Sequence, residues 1–319
     1  MKILVNTKNM PRDEWLKWRR MGIGGSDAGA ICGLNPYRSA INVWMDKTGR
    51  AEDEKPDSEA MRVGRDLEDY VARRFMEQES KAVHRINAIL QDEDRPFMLA
   101  NIDRKVVGEK ALLECKTASA YNADKWKDGR VPESYEIQCM HYMAVTGFEK
   151  VYLACLIMGT GFVVREIRRD EEYINSLCSI EEKFWRNYVE TEVMPPPDGS
   201  EGAGEAIKSL YPQADPETVL DLPESDYGAK LARLDEIVAL KKQLEQEEQE
   251  IKQSIQVAME DSETAWIGDR RITWKNVKPR ELFDSKRFRK DHPDLYTEYL
   301  KTGKPSRRFS ISSRKAAEE

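Results

Sequence analysis

Apolar residues recur at helical spacing through the first quarter of the chain, then gather into short runs typical of strands. Residues 11–20 read as a helix carrying Trp15 and Trp18 beside Lys17, Arg19 and Arg20, and Gly22 breaks it. Gly24-Gly25-Ser26-Asp27 opens a second helix, with Ser26 or Asp27 as a natural N-cap. Asn35-Pro36-Tyr37 is a turn, 40–47 is a helix ended by Gly49, and 53–56 is a charged loop. A long amphipathic helix spans 58–79, with Met61, Leu67, Val71 and Phe75 on its apolar face. Segments 81–90, 97–107, 111–117, 150–157 and 161–168 read as strands, 133–146 as a helix among them, and 171–193 as a final helix. The class is therefore α/β (α+β), a mixed β-sheet flanked by helices. The run Pro195-Pro196-Pro197-Asp198-Gly199-Ser200 reads as a linker. Beyond it, 226–260 is a continuous helical pattern whose imperfect heptad predicts packing against the body rather than a zipper. A hairpin follows around Gly268-Asp269. The expected organisation is a core over 1–195, a linker region over 196–225 and a basic extension over 226–319.

One segment of this pattern carries chemistry. Val106-Val107-Gly108-Glu109-Lys110-Ala111 looks like two strand ends meeting at a tight turn, with Gly108 at its first central position. Centred there, the hairpin sets Asp103 opposite Glu114, and directly opposed residues point to one face. Strand alternation brings Lys116 to the same face as Glu114. Two adjacent carboxylates repel unless one keeps its proton or a cation lies between them. Hard oxygen ligands suit Mg²⁺ or Mn²⁺, and the Cys115 carbonyl adds another oxygen. A lysine beside such a cation positions a water, stabilises developing charge, or loses its proton if desolvated. The bland alternative is a surface hairpin with cross-strand salt bridges. The flanking apolar runs 97–100 and 111–113 argue for a core position instead, and buried carboxylates need partners.

The D…E-x-K hairpin resembles the PD-(D/E)xK nuclease superfamily, with Asn101-Ile102-Asp103 where Pro-Asp is usual. Three further matches narrow it. Met21-Gly22-Ile23-Gly24-Gly25-Ser26-Asp27 is similar to the signature of YqaJ-like viral recombinase nucleases, relatives of the lambda exonuclease. Gly64-Arg65-Asp66-Leu67-Glu68 resembles their G-x-x-x-E helix, and Gln138-Cys139-Met140-His141-Tyr142 their Q-x-x-x-Y motif. The resemblance covers roughly residues 10–195 and extends to parts of the tail. It implies a restriction-endonuclease-like sheet and a 5′→3′ exonuclease acting on double-stranded DNA ends. Mg²⁺, with Mn²⁺ also accepted, would be held by Asp103, Glu114 and the Cys115 carbonyl, with Glu68 as an extra carboxylate. Lys116 would orient or activate the attacking water, and Gln138 and Tyr142 would face the scissile phosphate. Ser26, at a helix start where free N–H groups attract phosphate, would hold the terminal 5′-phosphate with Arg19 and Arg38. Arg20 is the alternative to Arg19, and a simple N-cap is the alternative for Ser26. The resemblance further implies a single-strand annealing partner, a ring-shaped homotrimer and a phage or prophage origin. An endonuclease of the same superfamily is the rival reading, and a non-catalytic DNA-end scaffold a third.

Composition tests these implications. The five cysteines of the 319 residues include no C-x-x-C pair, which speaks against zinc, an iron–sulfur cluster and a disulfide framework. No apolar stretch approaches the roughly 20 residues of a bilayer span, and no signal-peptide core follows Met1, so the bacterial cytoplasm is the expected location. The net charge of −7 is unexpected for a DNA binder, but residues 266–316 hold 15 Lys/Arg against 6 Asp/Glu. That stretch is +9 and the remainder about −16. His84, His141 and His292 are expected to have no catalytic role.

Overall fold

In the computed structural model, residues 1–51, 58–303 and 306–312 are described. The charged loop expected at 53–56 lies outside them. The chain runs β1 (Lys2–Asn6), α1 (Arg12–Arg20), β2 (Ile23–Gly24), α2 (Gly25–Ile31), α3 (Ala40–Lys47) and α4 (Glu59–Glu79). Strands β3 (Val83–His84), β4 (Ala88–Gln91), β5 (Met98–Ala100), β6 (Arg104–Val106) and β7 (Ala111–Ala118) follow. A 3-10 segment leads into α5 (Glu133–Thr146), then β8 (Lys150–Ile157), β9 (Gly161–Arg168) and α6 (Glu171–Phe184), which ends in a π-helical turn. Next come α7 (Glu201–Leu210), α8 (Glu224–Met259), β10 (Thr264–Ile267), β11 (Arg270–Thr273), α9 (Ser285–Asp291) and α10 (Pro293–Glu298). The mixed α/β class read from the sequence is the class observed.

Among the described residues the strands form two sheets and a separate hairpin, with orders β1-β4-β5-β2, β3-β6-β7-β8-β9 and β10-β11. The segment 97–107, expected as one strand, is two strands in different sheets. The chain leaves the first sheet after Ala100 and joins the second at Arg104. The crossing has a local cause. The Cys115 N–H, which a longer ladder would give to a backbone carbonyl, donates instead to Asp103 Oδ2 at 2.8 Å. Strands β1 and β2 were not expected either. β2 pairs in parallel with β5, and Gly22 permits it: a Cβ there would stand 2.5 Å from the Phe97 carbonyl oxygen.

The second sheet separates two packing layers. Leu113, Tyr152 and Ala154 face Val71, Ala72 and Phe75 of α4. Burying side chains such as Val71 and Phe75 contributes about 1.5–3 kcal/mol each. Met61, expected on this apolar face, is exposed because it lies at the first turn of α4, beyond the sheet. On the other face Leu112, Leu153 and Cys155 join the layer containing α5. β7 and β8 pair in parallel, which requires the α5 crossover between them.

Two compact units result, Met1–Pro212 and Gln213–Glu319. The stretch 196–225, expected as linker, contains α7, which belongs to the first unit. Gly202 of α7 packs so close that an added Cβ would lie 3.2 Å from the Arg38 and Ser39 backbone. In the second unit, α8 leaves Leu231, Leu234, Ile237, Val238, Leu244 and Ile251 exposed. No helix of the described residues is long and apolar enough to cross a membrane.

Candidate active site

The hairpin geometry read from the sequence is present. β6 and β7 pair at Arg104↔Leu113 and Lys105↔Leu112, a register whose next step sets Asp103 opposite Glu114. Gly108 takes a positive φ of 78° at the reversal, but the recorded pairs stop at Lys105↔Leu112, so the turn is wider than a two-residue loop. Lys116 Nζ donates to Glu114 Oε1 at 2.6 Å and to Gln138 Oε1 at 3.0 Å. Gln138 Nε2 donates to Glu114 Oε1 at 2.8 Å and to the Tyr142 hydroxyl at 2.9 Å. Gln138 and Tyr142 share one face of α5 by i,i+4 spacing, and that face looks onto the strand carrying Glu114 and Lys116.

The electrostatics follow from crowding. Burial, then the Glu114 and Glu68 carboxylates, hold the Asp103 carboxyl well above the usual carboxylate range. Burial by itself lowers the Lys116 ammonium, but Glu114 and Asp103 outweigh it and raise it above its ordinary value. Lys116 is therefore a fixed cation. Of the roles open at the sequence level, loss of its proton is the one this environment opposes. Burial also pushes the Cys115 thiol up, so that residue offers a cation its carbonyl rather than a thiolate.

Among the described residues, no group of three or more His, Cys, Asp or Glu side chains is arranged to hold a metal ion. The side-chain donors that meet across the hairpin are two carboxylates, which suit a hard cation completed by further oxygens from backbone, water and phosphate. The raised Asp103 carboxyl supports that fit, since a cation between the acids would offset the burial and the repulsion that together keep its proton on.

Glu68 reaches the cluster from the other side of the hairpin. Its Oε1 accepts from Arg104 Nη1 at 2.5 Å and lies 3.6 Å from Arg85 Nη2. Arg104 also donates to the Asp103 carbonyl at 2.6 Å and to Asp69. Arg104 was missed at the sequence level. Its signal was available: it alternates with Val106 onto the apolar face of β6, where a charge needs a partner. Arg104→Met is expected to cost about 1.5–3 kcal/mol in urea unfolding, the worth of hydrogen bonds to charged groups. Arg104→Lys should recover only part, because an ammonium cannot reproduce the guanidinium fork.

A second cluster sits at the start of α2. The N-cap is Gly24 rather than Ser26 or Asp27, because Asp27 Oδ2 reaches back to the Gly24 N–H at 3.0 Å. Asp27 is fully buried, with Lys47 Nζ at 2.8 Å and Arg38 on its other oxygen. Burial would raise its carboxyl, yet Lys47, Arg38 and Arg19 hold it far below the usual range. Arg38 is engaged by Asp27 and Asp46, and Arg20 lies 3.3 Å from Asp46. Arg19 instead donates to Ser26 Oγ at 2.9 Å and stacks over Trp15. A small pocket here is lined by Arg19, Gly24, Gly25, Leu99, Asn101 and Tyr142. Gly25 lets the two clusters meet, since a Cβ would stand 2.6 Å from the Tyr142 ring. A larger cavity, about 450 Å³, lies elsewhere, between Cys32, Ile137, Tyr173 and Ile180.

His141 is fully buried, bonded through Nδ1 to Glu181 at 2.8 Å and through Nε2 to the Leu99 carbonyl at 2.9 Å. It pins α5 to β5 and α6.

A carboxylate hairpin with its lysine, backed by a glutamine helix and a helix-start pocket, is the arrangement on which the sequence motifs converge. The YqaJ-like viral recombinase domain model matches residues 14–149. The uncharacterized protein YqaJ of Bacillus subtilis (strain 168) is 40% identical over 314 residues, covering 97% of each chain. The chain belongs to the YqaJ family. Its fold is also similar to LHK-Exo, an alkaline exonuclease from Laribacter hongkongensis. The dAMP complex of that enzyme matches with a TM-score of 0.50 at 17% identity, over 57% of this chain and 94% of that one. A putative exonuclease from Eubacterium rectale matches at a TM-score of 0.41 and 16% identity, over 69% and 97% of the two chains.

Proposed function

We propose that this chain is a metal-dependent nuclease that digests double-stranded DNA from its ends, 5′→3′, leaving 3′ overhangs. The observation that carries the reading is the continuous hydrogen-bonded path from Glu114 and Lys116 through Gln138 to Tyr142, which packs against Gly25 beside Ser26. Cutting chemistry and a terminal-phosphate site would thus share one wall.

Asp103, Glu114 and the Cys115 carbonyl would hold Mg²⁺, or Mn²⁺ in its place, with Glu68 at the margin of the site. Such an ion supplies Lewis acidity and a water of lowered pKa. Lys116 meets the charge developing on the scissile phosphate. Gln138 holds the Lys116 ammonium and the Glu114 carboxylate in one geometry. Arg19, Ser26 and the free N–H groups starting α2 take the 5′-phosphate, while Arg38, its charge offset by Asp27 and Asp46, fixes Asp27 at the helix start. Tyr142 forms the wall between the two regions. The overhangs would be substrate for a single-strand annealing protein, in a phage or prophage recombination pathway in the bacterial cytoplasm. A homotrimeric ring would enclose the DNA and turn a modest basic patch into a channel. These roles describe a core within residues 1–195 and an accessory extension over 226–319.

The phosphate site is tested by comparing linear duplexes that differ in 5′-phosphate or 5′-hydroxyl ends. Wild type is expected to prefer the phosphate by about 10-fold or more, the worth of one charge-assisted contact. Arg19→Ala and Ser26→Ala should flatten the preference. Equal rates on both ends in wild type would remove the phosphate pocket from the reading.

A further inference from the structure

The hairpin of the second unit sets an exposed indole beside a guanidinium. β10 and β11 pair at Thr264↔Thr273 and Trp266↔Arg271, so Trp266 and Arg271 stand opposite each other on one face. Ala265 and Ile272, also paired, occupy the other face and are half-buried. Trp266 is 65% exposed. Strand alternation past Thr273 carries Lys275 toward the Arg271 side. Further along, Phe283 and Tyr299 are exposed among basic residues.

Part of this charge stands apart from any acid. Among the described residues, Arg270, Arg271, Lys275, Lys278 and Arg280 have no carboxylate within reach, while Arg287 meets Asp291. The body behaves differently, since Arg38, Lys47, Arg104 and Lys150 each meet an acid. A +9 stretch in a chain of net charge −7 attracts a polyanion.

We propose that the β10–β11 hairpin and the basic segment after it bind single-stranded nucleic acid. A base stacks on Trp266, and flanking phosphates pair with Arg271 and Lys275. Charge alone would suit a duplex equally. The solvent-facing indole decides for a single strand, because along a duplex each base is covered by its stacked neighbours, whereas an unpaired base offers its π-face. A duplex presents its backbone and groove edges instead. The site does not depend on whether the chain cuts DNA.

The test uses the full chain in EDTA, with labelled oligodeoxythymidine and a blunt duplex of equal length, followed by fluorescence anisotropy. Trp266→Ala is expected to weaken oligodeoxythymidine binding about 10-fold and leave duplex binding unchanged. Trp266→Phe should retain most of the affinity, because a ring remains to stack on. Arg271→Gln should reduce the salt dependence of binding by about one phosphate contact. Unchanged oligodeoxythymidine affinity in Trp266→Ala overturns the proposal. So does an equal loss toward the duplex, which would reduce the surface to charge alone.

Discussion

Lys116→Ala is expected to slow digestion of linear duplex DNA by about 10²–10³-fold, the range for removing one preorganised charge that meets a transition-state anion. The environment of Lys116 makes the claim specific. Its ammonium is held by Glu114 and Gln138, stacks over the Tyr135 ring, and is kept protonated by two carboxylates. A protonated lysine cannot accept a proton from water, so its contribution is electrostatic and positional. Lys116→Arg keeps the charge but changes its shape and reach, and should recover only part of the rate. Near-UV circular dichroism separates this loss from unfolding. Full activity in a folded Lys116→Ala protein would take Lys116 out of the chemistry.

The second large effect concerns stability rather than rate. Asp27→Asn keeps the side-chain shape but leaves Lys47, itself almost fully buried, without its closest carboxylate. Breaking a buried pair from one side costs about 3–5 kcal/mol. The low end applies here, since Lys47 keeps Asp46 at 3.2 Å and the Arg19 carbonyl at 3.1 Å. A loss of about 3 kcal/mol corresponds to a melting-temperature drop of roughly 6–12 °C for a unit of this size. The pH dependence has a definite sign. A carboxyl held below its unfolded value stabilises the fold at pH above that value, near 4, and loses the contribution as the medium becomes more acidic. The gap between wild type and Asp27→Asn should therefore be full at neutral pH and narrow below about pH 4. A gap that stays constant down to acid pH would mean Asp27 acts through shape, not charge.

The pairing of Asp103 with Glu114 was legible because a strand has a period of two and Gly108 marks its reversal. Gln138 and Tyr142 were legible through the Q-x-x-x-Y resemblance, and helical spacing put them on one face. The break between β5 and β6 was not, since the apolar run 97–100 reads the same whether the chain continues or changes sheet. What ends the strand is a hydrogen bond from the Cys115 backbone N–H to the Asp103 side chain, and its donor lies on another strand. Asp27 looked like a helix cap because its cations arrive from further along the chain, Arg38 from the loop before α3 and Lys47 from the end of α3. α7 was hidden by the prolines before it, although Ser200 caps it through the Ala203 N–H at 3.1 Å.

Digestion by an end-dependent, metal-requiring nuclease is tested most directly on one duplex in two forms, linear and covalently closed circular. With Mg²⁺, the wild-type chain should consume the linear form and leave the circle intact, and EDTA should stop the reaction. A circle cut as fast as the linear form, or digestion that persists in EDTA, would contradict the account.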